Sequence, residues 1–289
     1  MIPTVFEYVR AASLDEAVAK LKAANGGGKF IAGGHSLVPL MKLRLSEPKV
    51  LIDIARIPGL AGIGERDGRI TIGAGTSHHD VATSRLLRER CPAIADMAAG
   101  IGDPQVRNRG TIGGSIAHAD PSADYPAVML ALDAEIHLKG PSGWRMVKAP
   151  DFFQDLFTVN MAADEIIASI QFAPVRSAAY AKLKQRASHY AIVGVAAALD
   201  VNGGRITSAR VGLTGAASHA TRLTNVEQAL AGSQASEQTL AAAARLAGDD
   251  LEHVNADIRE AIVGFDATEQ REVDRQMLDR FFACLQSKV

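Results

Sequence analysis

Cysteine is almost missing from this chain: 289 residues carry two, Cys91 and Cys284. They stand far apart, so they make no disulfide framework, and they fit a reducing compartment, the cytoplasm. Two thiolates also fall short of the four ligands that an ordinary iron–sulfur cluster or a Cys-rich zinc site takes. An excess of either charge is missing too, with 31 Lys and Arg against 32 Asp and Glu. Without a bulk positive field the chain has little to hold a polyphosphate backbone, which argues against nucleic acid as a partner. No run of about 18 apolar residues occurs, and "MIPTVFEYVR" lacks a basic stretch followed by an apolar one. Neither a transmembrane segment nor a secretion signal is expected.

What is present is the composition of an ordered globular protein, 47% hydrophobic and 22% charged. The length suits two or three compact units. Ser13 to Glu16 is a capping-box pattern, and Leu14, Ala17, Val18 and Leu21 recur at helical spacing until the glycines at 26–28, which predicts a helix over Ser13–Ala24. "KFIA" and "KVLIDI" read as short buried strands, with "SLVPLMKLRL" between them as a helical turn or short helix. From about Ile57 the texture turns to strands and glycines: "GRITIGAGTSH", "RGTIGGSIA", and "AEIHLKGPSGWRMVK" with a hairpin turn at Gly140–Gly143. "LLRERCPAIADMAAGIG" interrupts them as one helix, and "DEIIASIQF" closes this part as a strand. Beyond a linker near Pro174, two apolar runs joined at Asn202–Gly204 predict a long hairpin. Thr224 with Glu227, and then Ser236, are placed to cap helices, and a long amphipathic helix is predicted up to Cys284.

Two segments share a local grammar, "FIAGGHSL" and "GTIGGSIAHADPSAD". Each runs apolar, then Gly-Gly, then a hydroxyl residue close by, then apolar again. A glycine pair lets backbone turn with positive φ and approach a ligand without a Cβ in the way, so that several N–H groups can face one anion. Ser36, Thr111 and Ser115 could add hydroxyl donors. Other phosphate and nucleophile motifs fail: no G-x-G-x-x-G follows a strand, no Walker A sequence exists, and no G-x-S-x-G occurs. "SHHD" and "HADPSAD" match no zinc spacing, and carboxylates beside proline in a loop more often cap turns, so no metal site is expected.

Together "AGGHSLVPLMKLRL", "LIDIARIPGL", "ITIGAGTSHHDVATS", "GDPQVRNRGTIGGSIAHADPSADYPAVMLAL" and "VGVAAALDV" resemble the FAD-binding medium subunit of molybdenum hydroxylases, the group that includes carbon monoxide dehydrogenase and xanthine dehydrogenase. The resemblance spans nearly the whole chain in order. It implies an α+β fold: a two-subdomain FAD-binding unit of the vanillyl-alcohol-oxidase (PCMH) type, over residues 1–56 and 57–175, followed by a C-terminal domain of antiparallel sheet and helices over 177–289. It also implies that Ala32, Gly33, Gly34, His35, Ser36 and Leu37 form one pyrophosphate loop, and Thr111, Gly113, Gly114 and Ser115 the other. Asp124 falls where the family has a carboxylate for a sugar or ribityl hydroxyl, Ile167 matches an aliphatic residue near the adenine or flavin, and Lys184 a lysine near the ring system. Tyr190 is placed close to the isoalloxazine. Ser115 stands where many relatives have Asn, and "RASHYAIV" departs from the charged version in xanthine dehydrogenases toward carbon monoxide dehydrogenase-like relatives.

The function so implied is electron transfer: FAD on this chain, a molybdenum cofactor on a large partner subunit and two [2Fe–2S] clusters on a small one, assembled as a dimer of heterotrimers. No residue of this chain then acts as acid, base or nucleophile. The alternative is a stand-alone FAD-dependent oxidoreductase with its own small substrate, and a third reading is a scaffold without cofactor. The substrate and the electron acceptor are open at this stage.

Overall fold

The computed structural model describes residues 2–250. The opening segment runs β1 (Glu7–Arg10), α1 (Leu14–Ala23), β2 (Gly28–Ile31), α2 (Leu37–Lys42) and β3 (Val50–Asp53), and its strands form a parallel sheet in the order β1-β3-β2. Helix α1 starts as the pattern predicts. Ser13 Oγ accepts from Glu16 N–H at 3.1 Å, while the Glu16 carboxylate reaches back to Ala12 N–H at 2.7 Å. Ala17, Val18 and Leu21 are the buried face.

The second sheet is antiparallel. It is built from β4 (Ile63–Arg66), β5 (Arg69–Gly73), β6 (Glu135–Gly140), β7 (Gly143–Lys148) and β10 (Ile166–Phe172), in the order β4-β5-β10-β6-β7. Between β5 and β6 come α3 (His78–Thr83), α4 (Arg85–Arg90), α5 (Pro92–Ala99), α6 (Pro104–Arg107), α7 (Ile112–His118) and α8 (Asp124–Ala131); α9 (Ala149–Phe152) and the small ribbon β8 (Phe153–Asp155) with β9 (Thr158–Val159) follow β7. Two expectations are corrected here. "LLRERCPAIADMAAGIG" is two helices, because Pro92 lacks the N–H needed to continue α4 and instead opens α5. "RGTIGGSIA" begins a helix instead of a strand, because the Thr111 hydroxyl caps Gly114 N–H and closes the first turn.

The third sheet is β11 (Ala178–Lys184), β12 (Ala191–Asn202), β13 (Arg205–Thr214) and β14 (Thr221–Arg222), with α10 (Thr224–Leu230) and α11 (Glu237–Ala244) after it. Gly203 and Gly204, at φ +56° and +77°, make the tight hairpin that pairs Asn202 with Arg205. Ser236 caps α11. The Thr224–Glu227 box does not form: Glu227 is drawn to Arg222 and to Val211 N–H, and Asp250 supplies the acceptor for Thr224 and Asn225. The long helix predicted up to Cys284 lies outside the described residues.

All eight residues of α8 are buried, because it lies between two units: α5, α7 and α9 contact it from one side, β12, β13 and β14 from the other. A Cβ on Gly212 would stand 2.3 Å from Ala127 O, so β13 touches the α8 backbone directly. A second, smaller core gathers Leu199, Val211, Leu213, Val226, Leu230 and Leu240 under α10 and α11. Among the described residues no helix is long and apolar enough to cross a membrane.

Candidate functional site

The first glycine loop lies between β2 and α2. The N–H groups of Gly33, Gly34, His35, Ser36 and Leu37 meet no protein acceptor among the described residues, and Ser36 offers no side-chain cap to α2. Buried N–H groups are nearly always paired within the protein; here four of the residues are half-buried and His35 is exposed, so the row is open to an acceptor from outside the chain. Gly34 sits at φ +74°, the left-handed conformation that lets successive N–H groups converge. The His35 ring is exposed and folds back, with Nδ1 3.0 Å from Gly33 O. Ala32, Ser36 and Leu37 are half-buried around it.

The second loop is differently employed. Gly113 N–H donates to Ala74 O at 2.8 Å, Gly114 N–H to Thr111 Oγ1 at 3.2 Å, and Ser115 N–H to Thr111 O at 3.0 Å. A Cβ on Gly113 would stand 2.5 Å from the Ala74 Cβ, so this glycine serves the close seating of α7 on the chain after β5. Successive N–H groups without protein partners, among the described residues, occur in the first loop and not in the second. Thr111 N–H and the hydroxyls of Thr111 and Ser115 are the donors left without protein acceptors here, among the described residues.

The two loops touch. A Cβ on Gly33 would lie 2.2 Å from Arg109 O and 2.8 Å from Gly110 Cα, the residues that lead into Thr111. Beneath the contact is His78, whose backbone N–H donates to Gly110 O at 2.9 Å and whose ring lies 5.3 Å from that of Tyr125. His78 Nδ1 and Tyr125 Oη are both buried without a protein partner among the described residues. Burial, then the charges of His35 and Arg107, pull the His78 imidazole down to about 4. The unfolded chain protonates this group near pH 6.5, so its contribution to stability is whole above that pH and is lost as the pH falls toward 4. The separation is worth about 3 kcal/mol. Melting profiles should show wild type falling more steeply than His78→Gln between pH 6.5 and 4, and parallel profiles would refute the buried neutral histidine.

The remaining residues singled out by sequence lie on β10, α8 and β11 and in the turn after β11. Ile167 is buried opposite Leu138, next to Ala168, whose carbonyl accepts from Ala74 N–H at 2.9 Å, so its strand adjoins the seat of α7. Asp124 opens α8, but both its oxygens are engaged: Tyr180 Oη donates to one, and Lys182 Nζ approaches both, at 2.9 and 3.0 Å. The side chains of Lys182 and Asp124 are 9% and 6% exposed, so this ion pair is shielded from water. Burial raises the Asp124 carboxyl above its usual range, while Lys182 and Tyr180 pull it back. Lys184 is exposed at the end of β11, and Tyr190 stands half exposed nearby. Sequence reasoning missed Tyr180, Lys182 and His189. The signal is in "AYAKLK", where strand alternation puts Tyr180, Lys182 and Lys184 on one face and Ala179, Ala181 and Leu183 on the other. No group of three or more His, Cys, Asp or Glu among the described residues could hold a metal ion.

Residues 4–174 match the FAD binding domain in molybdopterin dehydrogenase, and residues 178–262 match the CO dehydrogenase flavoprotein C-terminal domain. The carbon monoxide dehydrogenase medium chain of Hydrogenophaga pseudoflava is 40% identical over 273 residues, 91% of this chain and 95% of that one. Subunit alpha of the 6-hydroxypseudooxynicotine dehydrogenase complex of Paenarthrobacter nicotinovorans is 38% identical over 258 residues, 88% of this chain and 87% of that one. Among solved structures, carbon monoxide dehydrogenase from Hydrogenophaga pseudoflava lacking the Mo-pyranopterin moiety of its cofactor superposes with a TM-score of 0.91 at 38% identity, covering 100% of this chain and 99% of that one. Free N–H groups on a glycine loop, a second loop seated against it, and likeness along the whole chain agree: the protein belongs to the FAD-binding medium subunits of the molybdenum hydroxylases, and it is an oxidoreductase subunit.

Proposed function

We propose that this chain is the electron-transferring subunit of a molybdenum-containing hydroxylase or dehydrogenase, working beside a large molybdenum-binding subunit and a small iron–sulfur subunit in a dimer of heterotrimers. FAD, when bound, supplies a carrier between the [2Fe–2S] clusters of the small subunit and an external acceptor. The row of five N–H groups from Gly33 to Leu37, unpartnered among the described residues, carries this reading. Hydrogen bonds to a charged acceptor are worth roughly 1.5–3 kcal/mol each, so a few of them suffice to hold a pyrophosphate.

The binding work divides among the chain's own residues. Ala32, Gly33, Gly34, His35, Ser36 and Leu37 take one side of the pyrophosphate; Thr111, Gly114 and Ser115 take the other, with Gly113 seating their helix. Asp124 keeps unused lone pairs beyond those engaged by Tyr180 and Lys182 and so still suits a sugar or ribityl hydroxyl. Ile167 packs near the adenine or the flavin, and Lys184 and Tyr190 lie on the ring side. Residues 1–56 and 57–175 are then the two FAD-binding subdomains, and 177–289 the C-terminal one. Cys91 is buried with its thiol pushed up to about 11, a poor metal ligand, which supports placing the clusters on another chain. Its free thiol also supports a cytoplasmic location.

The test is the visible absorption spectrum of the purified chain, with and without added FAD, followed by release and identification of any flavin. Bound FAD is expected. A colourless chain that ignores FAD would overturn the reading.

A further inference from the structure

Residues 185–190 form a turn closed on itself: Gln185 N–H donates to Tyr190 O at 2.8 Å, and His189 N–H to Gln185 O at 2.9 Å. What ties the turn to the rest of the molecule is His189. Its Nδ1 lies 3.0 Å from Gly102 O, its carbonyl accepts from Lys182 Nζ at 2.8 Å, and its backbone stands at φ +62°. A ring-bearing residue persists in the left-handed region only where its surroundings over-determine it. Here they do so from two directions.

On one side, Gly102 O also accepts from Arg107 at 3.0 Å. Arg107 lies two residues before Arg109, whose carbonyl is the seat of Gly33. On the other side, Lys182 is held by Asp124, and Ala191 N–H, just past the turn, donates to Ser122 O at 3.2 Å. The turn is therefore fastened to both segments that flank α7: residues 102–111 before it and 120–124 after it. The Gly102 carbonyl that His189 meets thus belongs to the segment that leads through Arg107 and Arg109 into the second glycine loop.

We propose that His189 is a positioning residue that makes the 185–190 turn the outer wall of the cofactor site and couples its closure to occupancy of the glycine loops. This rests on the reading that FAD lies between those loops. By linkage the coupling is reciprocal: if FAD closes the turn, the closed turn slows the loss of FAD by the same factor.

Arg186 is exposed within the turn, so tryptic cleavage after it reports opening. The experiment follows that cleavage in the full-length chain, with and without FAD, together with FAD content. FAD is expected to slow cleavage of wild type roughly fivefold, about what one hydrogen bond contributes. In His189→Ala, FAD still binds at the intact loops, but cleavage is fast with or without it. His189→Asn tolerates the left-handed backbone and keeps a donor near the position of Nδ1, and it should restore the protection. FAD-dependent protection persisting in His189→Ala overturns the proposal. So does a wild-type chain that binds FAD with no change in cleavage, which leaves the FAD site standing. A wild-type chain that binds no FAD overturns both.

Discussion

Gly33→Ala is expected to yield a folded protein that has lost its FAD. The added Cβ would sit 2.2 Å from Arg109 O and 2.8 Å from Gly110 Cα, both backbone atoms, so no side-chain rotation relieves the clash. The two glycine loops must part. Overpacking of this kind costs about 1–3 kcal/mol, and where it falls on the binding loops that is roughly a 10- to 100-fold loss of affinity. Gly64→Ala is the control, since nothing lies within 4 Å of its added Cβ and it stands on β4, outside both loops. Titration of each apoprotein with FAD, followed by flavin fluorescence, separates the two. Equal affinities would show that contact between the loops is not what shapes the site.

Lys182→Met is expected to destabilise the fold more than Gly33→Ala does. Breaking a buried ion pair by removing one partner costs about 3–5 kcal/mol, because the other charge stays buried. For a chain of this size that is a fall in Tm of roughly 6–20 °C. The pH dependence has a definite sign. Burial already holds the Asp124 carboxyl above its ordinary range, and losing Lys182 removes one of the groups that pull it back. A carboxyl whose folded pKa lies above its unfolded one contributes stability that is whole below the unfolded value and is lost as pH rises through the folded value. The deficit of Lys182→Met is thus largest at and above neutral pH and shrinks toward pH 4. His78 weakens both proteins alike in acid, so the difference between their melting temperatures is the quantity to follow. A deficit independent of pH would mean that Asp124 is not left charged and buried.

Local signals carried much of this architecture. The Ser13–Glu16 box, the Gly203–Gly204 turn and the Ser236 cap are each decided within four residues, and each forms where its residues stand. One failure is local, the helix break at Pro92; the others involve neighbours from elsewhere in the chain. "RGTIGGSIA" looks strand-like because glycine and β-branched residues disfavour helix, but Ala74 and the Thr111 cap hold it as one. The first Gly-Gly pair, whose N–H groups meet no protein acceptor among the described residues, follows Ile31 and Ala32; the second follows Thr111, whose hydroxyl takes the Gly114 N–H. That difference depends on Ala74 and Thr111 lying beside Gly113 and Gly114. The Lys182 to Asp124 pair spans 58 positions and the His189 to Gly102 contact 87, far beyond the reach of periodicity. Histidine and lysine at such sites declare themselves only once the chain is folded.

Helix α8 sets a timing problem for synthesis. Its apolar surface is complete when Ala131 is made, but the strand that covers one side of it, β13, ends at Thr214, about 80 residues later. At ~5–20 residues per second on the ribosome, that surface waits on the order of 4–16 s for its cover. The nascent chain therefore passes through a long interval in which a largely apolar helix invites association with other chains. Expression in cells short of holdase chaperones, or of a chain truncated before β12, should send this protein into the insoluble fraction.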